Sequence, residues 1–235
     1  MQPLQLHADR RRPALVRAAE LPWLASPEAG VERRPLERIG GEVALATSIV
    51  RYRAGSRFAR HTHELGEEFL VLDGVFSDEL GHYPVGTYVR NPPGSAHAPF
   101  SEAGCVIFVK LRQMRADDTD RVVVHADQRQ WRSANEPGLM QATLHERPGL
   151  SVSLERLAPG STLPATTRAG GMEVLVVEGA VSRVSDDAQS LGAWGWLRQP
   201  GLRQPALGSA TGALLWIKRG HLPAPPTEEA HPWPC

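Results

Sequence analysis

The segment His61-Thr62-His63-Glu64-Leu65-Gly66-Glu67-Glu68-Phe69-Leu70-Val71-Leu72-Asp73-Gly74 is the most informative in this chain. Side chains alternate faces along a β-strand, so His61 and His63 point the same way. Gly66 permits a bend, after which Glu67 opens an apolar run and can face the same space. Gly55 upstream and Gly74 downstream bound the segment with turns. A second segment, Gly86 to His97, carries the turn Pro92-Pro93-Gly94, where proline sets φ and glycine allows a tight bend just ahead of His97.

Three imidazoles and one carboxylate suit a divalent ion such as Zn, Fe, Mn, Ni or Cu, and leave coordination positions for water or substrate. Such an ion can polarise an oxygen or, if redox-active, bind dioxygen. The competing reading is that these are polar strand-end residues, each hydrogen-bonded to protein. That reading is preferred for His82 and His125, which have no comparable setting. For His61, His63, Glu67 and His97 together the spacing favours a metal site, because burying four such groups unpaired is costly.

Working outward, short apolar runs recur between turn residues: Phe69-Leu70-Val71-Leu72, Val106-Ile107-Phe108-Val109, Val122-Val123-Val124 and Val174-Leu175-Val176-Val177. With 22 glycines and 20 prolines as punctuation, they predict an all-β sandwich or barrel. The pattern is written twice, at an offset of roughly 105 residues that grows to about 108, too long for a solenoid unit and suited to a duplicated domain. Glu67-Glu68-Phe69-Leu70-Val71-Leu72 answers to Met172-Glu173-Val174-Leu175-Val176-Val177, Tyr88-Val89-Arg90 to Trp196-Leu197-Arg198, and the run ending at Lys110 to the run ending at Lys218. Trp23 and Trp131 open the two halves. The boundary is expected in the polar stretch Arg115–Asp120, giving domains 1–118 and 119–235. Pro223–Cys235 reads as an irregular strap without chemistry.

Charge is balanced, 26 basic against 26 acidic side chains, which excludes the basic footprint of a nucleic-acid binder. Arg10–Arg12 reads as part of a solvated tail. No apolar stretch approaches the roughly 20 residues of a membrane-spanning helix, and the first thirty residues lack a secretion signal, so a cytoplasmic protein is expected. Two cysteines make no disulfide framework, and Cys105 reads as a small buried hydrophobe.

Both motif segments resemble the two characteristic cupin motifs, and their wording, from Gly66 to Glu79 and from Tyr88 to His97, is similar to the ChrR-like cupin family. The resemblance is dense from about Trp23 to Lys110. It implies two tandem double-stranded β-helix barrels with metal ligation by His61, His63, Glu67 and His97, by zinc in the ChrR anti-sigma factor's own cupin domain and by iron in related oxygenases. Ser101 departs from the cupin pattern, which often ends in Asn, at a position that is not a ligand. The family's helical anti-sigma zinc domain and any CxxC are missing here, which argues against sigma-factor binding.

On the second repeat the ligand positions fall on Thr166, Arg168 and Met172, with Pro205 and the adjacent Gln204 in place of His97. The second barrel is therefore expected to hold no transition metal. Arg168 is expected to fill the vacated space and pair with Glu173, in preference to binding an anion. Two functions follow. One is a mononuclear metal enzyme of dioxygenase type on a small oxygenated or carbonyl compound, using one divalent ion, Zn or Fe first and Mn or Ni next, with Tyr52, Tyr88 and Arg90 on strands near enough to orient substrate, although outward-facing or core positions suit each of them at least as well. The other is a ChrR-like regulatory or stress-sensing cupin without turnover. Either takes a small-molecule ligand and neither needs nucleic acid or membrane; homodimerisation is left open. No separate catalytic base is identified.

Overall fold

The computed structural model describes residues 5–41 and 43–225, except for the side chains of residues 186–189. Residues 226–235, which hold most of the Pro-rich end and Cys235, lie outside them. Apart from two single-turn 3-10 helices, Ala18–Glu20 and Ala126–Gln128, every regular element described is a strand. None is a helix long and apolar enough to cross a membrane.

The strands form two compact units. In the first, a large antiparallel sheet runs in the order Val122–Val124, Tyr88–Asn91, Glu67–Asp78, Cys105–Leu111, Ala44–Tyr52, Val31–Gly40, Leu24–Ala25. The distal half of Glu67–Asp78 turns away to pair with Gly81–Pro84 and Phe100–Ser101, while His61–His63 pairs with Ser95–His97. The second unit repeats this order strand for strand, from Ala14–Arg17 and Gly195–Gln199 to Trp131–Ser133. Each unit is a jelly roll, the double-stranded β-helix that the sequence leads one to expect.

The sequence repeats and the compact units do not coincide. The first unit takes Leu21–Gln128, and the second takes Asp9–Glu20 together with the chain from Arg129. Ala14–Arg17, at the head of the first repeat, pairs with Gly195–Gln199 in the second unit; Val122–Val124, at the head of the second repeat, pairs with Tyr88–Asn91 in the first. The repeats thus exchange their leading strands, so a cut near residue 118 falls before a strand of the first unit's sheet.

The 12-residue strand Glu67–Asp78 carries a bulge. Val106 faces Asp73 and Ile107 faces Val71, which leaves Leu72 as the extra residue. A bulge reverses the alternation beyond it. Phe69 and Val71 before it and Phe76 after it therefore all reach one core, with Tyr52, Tyr83, Val89 and Ile107. The second unit bulges likewise at Val177, between Val176 and Glu178. Gly74 and Gly179 follow these bulges with φ of 68° and 75°; a Cβ on either would stand 2.1 Å from the carbonyl oxygen of Gly104 or Gly212. Only glycine allows this approach.

Candidate metal centre

The pairing of His61–His63 with Ser95–His97 sets His97 directly opposite His61. With His63 two residues along, three imidazoles share one face, and their candidate ligand nitrogens lie within 4.8 Å of one another. Glu67 joins them from the next strand: its Oε2 is 3.4 Å from His63 Nε2 and 3.5 Å from His97 Nε2. His63, Glu67 and His97 are buried, and His61 is half-buried. The structure thus brings together all four residues singled out in the sequence.

The tautomers follow from the partners. His61 Nδ1 lies 2.8 Å from the carbonyl oxygen of Ala59. A carbonyl only accepts, so Nδ1 carries the proton and Nε2 is left with its lone pair. His97 Nδ1 donates to Asp78 Oδ2 at 3.0 Å, which fixes the same tautomer. The Nε2 atoms of His63 and His97 are buried and have no hydrogen-bond partner. Lone pairs converging on a carboxylate oxygen repel one another unless a cation stands among them, and a buried acceptor without a partner is costly. This donor set fits a divalent metal ion, and the Asp78–His97 contact is the carboxylate–histidine pairing that orients metal-bound imidazoles.

Burial and neighbouring charges shift the acids and bases around the centre in different directions. Burial, aided by the neighbouring His97 and His61, pushes the pKa of His63 down against the pull of Glu67. For His97 burial acts downward too, but the Asp78 hydrogen bond and the charges of Glu67 and Asp78 outweigh it and raise the pKa. Burial raises that of Asp78, yet the hydrogen bonds from His97, the Leu80 amide and Tyr83 overcome it, so Asp78 stays below the usual carboxylate range. Burial and the bond to Asp78 push Tyr83 up to about 12.

Behind the ligands runs a continuous chain of side chains that the sequence did not disclose as functional. Asn91 Nδ2 donates to Glu67 Oε2 at 3.1 Å, and Arg121 Nε donates to Asn91 Oδ1 at 3.3 Å. Arg121 Nη2 donates to the Tyr83 hydroxyl at 2.7 Å, and that hydroxyl donates to Asp78 Oδ1 at 2.9 Å. Glu67 and His97 are therefore braced from two directions by one network that closes on Arg121. Asn91 faces inward because it stands opposite Glu67, and Asp78 does so because of the Leu72 bulge.

One open alternative is decided by the geometry and one expectation is corrected. Of the three residues thought near enough to orient a substrate, Tyr52 lines the cavity beside His61, His63 and Glu67. Tyr88 and Arg90 do not, because they stand opposite Leu70 and Glu68 on the other face of the sheet. There Tyr88 donates to Glu68 at 2.9 Å, and Arg90 bonds Glu68 at 3.1 Å and Asp118. Likewise Arg168 does not pair with Glu173. Glu173 accepts from Trp196 Nε1 and lies 2.7 Å from His221 Nε2, whereas Arg168 Nη1 donates to Ser151 Oγ at 2.9 Å. The His82 and His125 rings meet the hydroxyls of Ser77 and Thr87, and neither joins the cluster.

Among its described residues the second unit has no such cluster. Thr166 stands opposite Gln204 as His61 stands opposite His97, so Gln204 rather than Pro205 holds the fourth position. Met172 sits in the apolar core where the first unit has Glu67. The cluster of His61, His63 and His97 is the one group of three metal-ligating side chains found among the described residues.

Two jelly rolls in tandem, one built around converging histidines, define a bicupin. The chain belongs to the ChrR cupin-like domain family, whose model matches it twice, over residues 11–115 and 119–223. A search of curated proteins finds no match. Among solved structures it is similar to a candidate dioxygenase from Nostoc punctiforme, with a TM-score of 0.72 at 12% identity over 94% of this chain and 85% of that one. It is also similar to a candidate glyoxylate-induced protein from Pseudomonas aeruginosa, with a TM-score of 0.70 at 11% identity over 94% and 91%. A Bacillus subtilis oxalate decarboxylase variant aligns with a TM-score of 0.62 at 10% identity over 88% and 77%. At these identities the likeness is one of fold.

Proposed function

We propose that the first unit is a mononuclear metal enzyme of dioxygenase type acting on a small oxygenated or carbonyl compound, with His61, His63, Glu67 and His97 as the ligands. The observation that carries this reading is the pair of buried, unpartnered Nε2 atoms of His63 and His97 facing the Glu67 carboxylate. A divalent ion held there supplies Lewis acidity and, if it is iron, dioxygen chemistry. The chain's own residues do the rest. Asp78 holds the His97 proton on Nδ1 and so keeps Nε2 a ligand. Asn91 orients Glu67.

A cavity of about 390 Å³ opens beside His61, His63 and Glu67, within the usual range for small-molecule sites. Val50, Tyr52, Phe58, Ile107 and Val109 give it apolar walls that exclude water from a substrate's hydrocarbon body. Arg33 also lines it, donating to Ser26 Oγ. Burial, with the charge of Arg38 nearby, lowers the Arg33 pKa, so this guanidinium is poorly solvated and suited to a substrate oxygen.

The test is elemental analysis of protein purified without added metal, followed by oxygen-uptake assays on diketones and hydroxylated aromatic ketones. Bound iron with substrate-dependent uptake is the expected result. Stoichiometric zinc without turnover favours the sensing reading instead. Protein that neither carries nor can be reconstituted with metal overturns both.

A further inference from the structure

The second unit keeps the cavity of the first and changes what faces it. A space of about 500 Å³ lies between the strands Leu139–Arg147 and Leu150–Leu157 and the segment Leu163 to Arg168. The positions of His61 and His63 are taken by Thr166 and Arg168, and that of Leu111 by Arg219. Two guanidiniums now line the cavity where the first unit gathers metal ligands.

Their charges are not equally matched. Arg219 Nη1 donates to Glu155 Oε1 at 2.6 Å, and the same oxygen accepts from Ser153 at 3.0 Å, so Arg219 and Glu155 form a buried neutral pair. Arg168 makes no ion pair among the described residues; its guanidinium spends one donor, on Ser151 Oγ. Ser151, which accepts from Arg168, stands directly opposite Arg219 in the sheet. The remaining acid of the cavity, Glu146, is exposed at its mouth, where water and salt screen it. A guanidinium has five N–H donors in a planar fork that matches a carboxylate, and Arg168 leaves most of them facing a cavity.

We propose that this cavity binds a small hydroxylated carboxylic acid, its carboxylate on the free edge of Arg168 and its hydroxyls among Thr143, Ser151 and Thr166. Arg168 takes the position of His63, one of the proposed metal ligands, so the second unit keeps an oxyanion-binding centre in place of a metal centre. The site is independent of the first unit's metal.

The test is calorimetric titration of the full chain, stripped of metal with a chelator and dialysed, against gluconate, tartrate, acetate, glycerol and inorganic phosphate. A hydroxy acid should bind one per chain, more tightly than acetate, while glycerol gives no heat. Arg168→Gln should weaken that binding about tenfold or more, and His63→Ala should leave it unchanged. Where Arg168→Gln folds poorly, Arg168→Lys, which keeps the charge without the fork, should bind with intermediate affinity, and Thr143→Val should weaken a hydroxy acid but not acetate. Wild-type affinity in all Arg168 variants, loss in His63→Ala, phosphate binding without any hydroxy acid, or no hydroxy acid bound at all would each overturn the proposal.

Discussion

His97 donates its Nδ1 proton to Asp78 at 3.0 Å, across 19 residues of sequence. The contact decides which nitrogen of His97 is available to a metal ion. Asp78→Asn keeps the side chain's shape but replaces a charged acceptor, so the imidazole loses the partner that fixes its tautomer. Metal affinity, measured by competition with a chelator of known strength, is expected to fall about 10–100-fold. Unchanged affinity would reduce Asp78 to a structural residue held by Leu80 and Tyr83.

The same contact shows where sequence reading stops. Counting alternate residues from Glu67 puts Asp78 on the wrong face, eleven positions on, and only the Leu72 bulge restores it. The local sign of the bulge is the isolated Gly74, which does not fix which residue is the extra one, so Asp78 and the core role of Phe76 were hidden. The grouping of His61, His63, Glu67 and His97 was legible because they lie close to turns and on short strands, where alternation survives. The facing of Tyr88 and Arg90 stayed open for the converse reason: on Tyr88–Asn91 the inward residues are Val89 and Asn91, and no motif marks which parity faces the cavity. The tandem jelly rolls were legible from the repeat. The exchange of leading strands was not, because a repeat records similarity and not pairing.

Arg121 reaches the centre at one remove, through Asn91 and Tyr83. Its counterpart at the head of the first repeat is Pro13, so the bracing belongs to the first unit alone. Arg121→Met should speed metal release and lower affinity, by less than Asp78→Asn because both ligands keep their nearest partners. Stopped-flow transfer of metal to a chromogenic chelator measures the rate. A rate equal to wild type would place Arg121 outside the centre's support.

The two units are expected to be chemically independent. Arg168→Met, in the second cavity, should leave metal content at the wild-type level, whereas His63→Ala should abolish it while the circular-dichroism spectrum stays that of a β protein. Loss of metal from Arg168→Met would show that the centres are coupled.

Cys105 is buried beneath the first unit's sheet, and burial is the main reason its thiol is pushed up to about 11. At pH 8 roughly one molecule in a thousand then holds the reactive thiolate. In a Cys235→Ser background, leaving Cys105 as the single thiol of the chain, iodoacetamide should label native protein far more slowly than unfolded protein. The unfolded thiol ionises near its ordinary value of 9. The stability from keeping Cys105 neutral is therefore fully present below that pH and declines as pH rises toward about 11. Denaturant midpoints at pH 8 and 10, compared with those of Cys105→Ala, test the sign.

The exchanged strands make a prediction about where the chain can be divided. A fragment ending at residue 118 removes Val122–Val124, exposing the edge of Tyr88–Asn91, and also removes Arg121 from the network behind Glu67. Unpaired edges of this kind promote association. A fragment ending at Gln128 retains both. Expressed side by side with the same N-terminus, the longer fragment should be more soluble, melt at higher temperature and bind metal more tightly. The comparison is direct because the proposed ligands His61, His63, Glu67 and His97 are common to both, so any difference in metal affinity comes from the ten residues that the second repeat lends to the first unit. Equal melting temperatures and equal affinities would mean that Val122–Val124 merely lies along the sheet without supporting it.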